Sequence, residues 1–187
     1  MVLKLDSDEV TIKRRGCADG NKQRDWLPKE YTSSPTVSND IFMTLCMIDA
    51  TEGWEVATND ILGAFLQTEF YKGDIHIKLE GDVVNLLEDI KPEYCKYFVY
   101  TDIHGRKYVY AEAKKAIYGT PEVSLIFWAN VSKGLEEMVY QRNQYNCCVM
   151  NKIIDDKKCI MLWHVDGMKT SHVEPAFISS VLSKIDA

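Results

Sequence analysis

Apolar and polar residues alternate along this chain in two periods, and the switches between them predict its elements. Ile41, Phe42, Leu45 and Ile48 recur three and four residues apart, the mark of one helix face. Ser38 or Asn39 caps that helix and Gly53 closes it. Trp54 to Asp60 then reads as a strand, as does Ile75 to Leu79, followed by a short helix near Val83 to Ile90. Cys95 to Thr101 and Lys107 to Tyr110 predict a hairpin around His104-Gly105. Thr120-Pro121 opens the longest helix, which should run to about Tyr140, because Thr suits the cap and Pro the first turn. Strands follow at about Tyr145 to Ile153 and Lys158 to Val165, separated by Asp155-Asp156. A third, Met168 to His172, should pair back across Asp166-Gly167, before a helix from about Glu174. Upstream, Glu9 to Cys17 reads as a strand, Asp19-Gly20 as a tight turn, and residues 25 to 37 as loop. The order predicts a mixed α+β fold ending in an antiparallel meander.

Composition narrows the class. A chain of 187 residues is one domain or one and a half, enough for a core. No apolar run approaches the roughly 18 residues of a membrane span, and Met1 to Val10 lacks the apolar region of a signal peptide. Six cysteines, at 17, 46, 95, 147, 148 and 159, include no Cys-x-x-Cys pair. Reduced thiols in a cytoplasmic or nuclear protein are the expectation. A net charge of −6 argues against an autonomous nucleic-acid binder. Lys13, Arg14, Arg15, Lys22 and Arg24 nevertheless cluster, as either a solvated hairpin or a phosphate-contacting patch.

Asp60 and Asp166 stand about a hundred residues apart, each where an apolar run ends. Two such carboxylates converging on one cleft are the minimum for holding Mg²⁺, a hard cation that takes oxygen ligands. A second ion would allow an in-line phosphoryl displacement. Each aspartate also has a plainer reading: Asp166-Gly167 is a strong hairpin signal with positive φ at both residues, and Asp60 before Gly63 is a turn former. Phe65 is equally at home as a core aromatic. Phosphate-cradling glycine loops and a Gly-x-Ser-x-Gly elbow are missing from the sequence. His164, His172 and Cys159 make only an irregular zinc set.

Several segments together resemble copia-type retrotransposon reverse transcriptases. Asn59-Asp60-Ile61-Leu62-Gly63-Ala64-Phe65 is similar to the family's Asp-x-x-x-Ala-Phe-Leu, and His164-Val165-Asp166-Gly167 to its Tyr-Val-Asp-Asp. In the same order, Lys13-Arg14-Arg15 resembles its Lys-x-Arg, Ser34-Pro35-Thr36-Val37 its Phe-Ser-Pro-Val, and Gly53-Trp54-Glu55-Val56 its Gly-Trp lead-in. Ile117-Tyr118-Gly119 looks like its Leu-Tyr-Gly, and Phe127-Trp128 like its Trp-Tyr. The resemblance implies the fingers and palm of a right-hand polymerase, with fingers at about 1 to 37 and 71 to 115 and palm at 38 to 70 and 116 to 187. It implies Mg²⁺ held by Asp60 and Asp166, with template-primer and deoxynucleotides as partners and Lys13 and Arg15 turned toward the triphosphate. Phe65 would be the aromatic gate against a ribose 2′-hydroxyl.

Departures from that pattern weaken the implied enzyme. Gly167 stands where the family has its third carboxylate, and Glu122 where it has a glutamine beside the triphosphate. Pro121 and Leu125 replace two cations of the same helix. The thumb, connection and ribonuclease H of the family's polyprotein do not follow within these residues. The resemblance therefore implies a catalytically impaired copy. The alternatives are a nucleic-acid or protein interaction module on the same fold, and a subunit completed by another chain.

Overall fold

The computed structural model describes residues 16–61, 63–69, 75–95 and 100–185. After a 3₁₀ turn at Asn21–Asp25 come α1 (Lys29–Thr32) and α2 (Asn39–Glu52). Next are β1 (Glu55–Asp60), α3 (Ala64–Gln67), β2 (His76–Glu80), α4 (Asp82–Ile90), α5 (Pro92–Cys95), β3 (Tyr100–Thr101) and β4 (Lys107–Glu112). The chain continues through α6 (Val123–Glu137), β5 (Gln141–Arg142), β6 (Val149–Ile154), β7 (Lys157–His164), β8 (Gly167–His172) and α7 (Pro175–Ile185). The fold is mixed α+β with antiparallel sheets. The strand predicted at Glu9 to Cys17 lies almost wholly outside the described residues, and the predicted loop at 25 to 37 contains the one-turn helix α1.

Two sheets carry the architecture. The larger has the order β1-β8-β7-β6-β5; the smaller, β2-β4-β3, is confined to residues 76–112. In the larger sheet α2 lies on the face that carries Lys169 and Ser171, since Asp49 bonds both. α6 lies on the opposite face, where Trp128 and Trp163 meet at one cavity. Covered on both sides, β7 and β8 are buried almost end to end, with Met161, Leu162, Trp163, Met168 and Thr170 all under 5% exposed. That is why a strand as polar as Lys169-Thr170-Ser171-His172 can be central.

Local signals explain the helix ends. Ser38 accepts a hydrogen bond from the Ile41 N–H, and Gly53 closes α2 in the left-handed region at φ 67°. The inward face of α2 differs from the expected one: Ile41 and Leu45 pack on the core, but Phe42 is 37% exposed and the most buried residue is Asp49. α6 begins at Val123, with Glu122 as its cap residue, rather than at Pro121.

Candidate functional site

The two acidic segments meet at one end of the larger sheet. β1 and β8 pair antiparallel from Glu55↔His172 to Asp60↔Gly167, so Asp60 lies directly opposite the residue after Asp166. The Ile61 N–H continues the ladder by donating to the Asp166 carbonyl at 3.0 Å. Long-range pairing of two motifs about a hundred residues apart creates this corner.

The hairpin itself turns one residue earlier than its Asp-Gly signal suggests. His164 pairs with Gly167, so the two turn residues are Val165 and Asp166, and Gly167 is the first residue of β8. Val165 carries the positive φ, 58°, while neither Asp166 nor Gly167 does. Positive φ at the first turn residue alone is the II′ pattern, not the I′ pattern expected. The register with β1 overrides the local preference. At the other hairpin, Asp155 and Asp156 have φ 48° and 60°, the I′ pattern in full.

Gly167 is therefore not a glycine that the backbone demands. A Cβ built there would lie 3.4 Å from the Asp60 Oδ1 and 3.6 Å from the His164 carbonyl oxygen, ordinary contact distances. Cross-strand partners share a face, so a carboxylate at 167 would sit beside that of Asp60. The positive φ expected at Asp166 and Gly167 falls instead on Val165, which carries the strain.

The other predicted residues differ in their surroundings. Asp60 is exposed and Asp166 half-buried, and among the described residues neither carboxylate has an ion-pair partner. Phe65 is 8% exposed and packs on Tyr118 and Phe127, with ring centroids 5.0 and 5.5 Å away. It is a core aromatic, and one that also lines a cavity reaching Val165. Glu122 is half-buried at the start of α6, and its side chain makes no capping bond. Lys13 and Arg15 lie outside the described residues. The chain just after them docks beside α6, because the Ala18 N–H donates to the Tyr118 carbonyl at 2.7 Å. Gly20 and Gly119 approach so closely there that a Cβ on Gly20 would lie 2.1 Å from the Gly119 oxygen.

No family model, curated protein or solved structure matches this chain. Among the described residues, no group of three or more His, Cys, Asp or Glu side chains could hold a metal ion. The oxygen donors at Asp60 and Asp166 are of the right kind for Mg²⁺. The donor set does not fit a two-ion centre, because the position best placed to add a third carboxylate is glycine.

Sequence reasoning overlooked one constellation near this corner. Lys169, on the same face as Gly167 and two residues along, pairs with Asp49 of α2. Its Nζ also donates to the Ser171 Oγ at 2.7 Å, and Ser171 reaches Asp49 Oδ2 at 3.1 Å. Asp49, Lys169 and Ser171 are 4%, 5% and 1% exposed. The available signal was Asp49 itself, a charge inside an otherwise apolar helix face.

Proposed function

We propose that this chain carries the fingers and palm of a copia-type retrotransposon reverse transcriptase, in a copy that no longer polymerises. The observation that carries the reading is the Asp60↔Gly167 pairing, which sets the two acidic motifs side by side at one sheet edge. The smaller sheet at 76–112 falls within the stretch assigned to the fingers, and the larger sheet is assembled from the stretches assigned to the palm.

Phosphoryl transfer depends mostly on placement and on electrostatic stabilisation of developing charge. The residues present supply little of either. Asp60 and Asp166 lack their third carboxylate, and Glu122 adds negative charge at the start of α6, where a triphosphate gains from cations. Both departures act in the same direction.

Primer extension tests the reading. The unmodified protein should incorporate no deoxynucleotide on a primed RNA template with Mg²⁺. The Gly167→Asp/Glu122→Gln double variant should bind the primed template with Mg²⁺ more tightly than the unmodified protein, by fluorescence anisotropy. Extension by the unmodified chain would overturn the impairment. A folded double variant with no Mg²⁺-dependent binding of template-primer or deoxynucleotide would overturn the family assignment.

A further inference from the structure

Behind the acidic corner, on the other side of the sheet, lies a cavity of about 260 Å³ between the segment 32–36, α3, α6 and the end of β7. Trp163, in its wall, pairs with Met168, whereas Asp60 pairs with Gly167. Alternation places their side chains on opposite faces. The cavity therefore lies on the opposite sheet face from the Asp60 carboxylate, although it shares Phe65, the residue that the polymerase reading makes its aromatic gate.

Its chemistry is two-sided. Phe65, Phe127, Trp128 and Trp163 give it an aromatic wall. Ser33, Thr36 and Ser124 also line it, and among the described residues their hydroxyls have no protein partner. The indole N–H of Trp163 is buried without a hydrogen-bond partner among the described residues. No charged side chain lines the cavity among the described residues, so it offers nothing to neutralise a phosphate or carboxylate. Drug-sized pockets run from roughly 300 Å³ upward, so this one is fragment-sized. Aromatic walls favour flat rings in offset or edge contact, and the hydroxyls of exposed Ser33 and Thr36 and half-buried Ser124 can bond a ligand's polar groups in place of water.

We propose that this cavity binds an uncharged, planar aromatic molecule of one or two rings that carries hydrogen-bonding groups. Val165 also lines it, so an occupant touches the residue whose φ of 58° defines the hairpin turn.

The test uses the full chain labelled with 5-fluorotryptophan and followed by ¹⁹F NMR. Four tryptophans, at 26, 54, 128 and 163, give separate probes. Millimolar indole and adenine are the ligands, with inorganic phosphate as the charged control. The Trp128 and Trp163 resonances should shift saturably with at least one ring compound, while exposed Trp26 stays still and phosphate moves none of them. Filling the cavity with Ser124→Leu should weaken binding at least tenfold; if that variant melts without cooperativity, Thr36→Leu on the opposite wall takes its place. The proposal is overturned if neither ring compound moves the two resonances, if Trp26 shifts in step with them, if phosphate shifts them, or if a folded filled variant binds equally well.

Discussion

Two carboxylates at one face of the larger sheet differ in burial and pairing: Asp49, which α2 lays against that face, and Asp60, at its edge. Asp49 and Lys169 are buried and paired with each other, with Ser171 bonded to both. Asp60, two residues along the sheet from Lys169's partner position, is exposed and has no ion-pair partner among the described residues. A buried charge is tolerated only when its neighbours replace the water it loses. An exposed carboxylate at a strand end keeps its water and remains open to a ligand. The first group ties α2 to β8; the second is a candidate site.

The largest effect should come from breaking the buried pair. Lys169→Met leaves Asp49 charged and dry, and should cost about 3–5 kcal/mol in urea unfolding. The Asp49→Leu/Lys169→Met double variant should recover most of that loss. A single variant as stable as the unmodified chain would show that water reaches this pair, and the contrast between the two groups would fail.

A smaller effect of opposite sign is expected at the turn. Val165 holds a β-branched side chain at positive φ, a conformation that costs on the order of 1–3 kcal/mol. Glycine favours the first position of a II′ turn. Val165→Gly should therefore raise stability by about 1 kcal/mol, or a few degrees in Tm. A lower Tm would mean that the side chain's packing in the cavity outweighs its strain.

Asp60→Asn should do least. An exposed, unpaired carboxylate contributes within about 0.5 kcal/mol either way, and the Tm should barely move. A large loss would mean that Asp60 has a structural partner, which would weaken its reading as a site.

The sequence made some of this legible and hid the rest for physical reasons. α2 was readable because Ser38 and Gly53 are local signals that tertiary structure did not overrule. β7 and β8 were readable within a residue at their ends. The turn between them was misplaced because Asp-Gly is a local preference, and the pairing of β8 with distant β1 sets the register. Lys169 was missed because its partner is 120 residues away and no spacing rule connects them. The cavity is equally non-local: its four segments carry motifs quoted separately in the sequence, and no spacing rule brings their hydroxyls and rings together.

Position 167 offers the most direct test of the acidic corner. Gly167→Asp should fold, since the backbone there tolerates a side chain. In EDTA its carboxylate beside that of Asp60 should lower the Tm by a few degrees through like-charge repulsion. With Mg²⁺ at about 10 mM the variant should regain that loss or exceed it, because a ligand bound only by the folded state stabilises it by mass action. The unmodified chain should gain much less, and Asp60→Asn/Gly167→Asp should lose the effect. A Gly167→Asp protein whose Tm is the same in EDTA and in Mg²⁺ would contradict the proposal that this corner can hold Mg²⁺ once a carboxylate stands at 167.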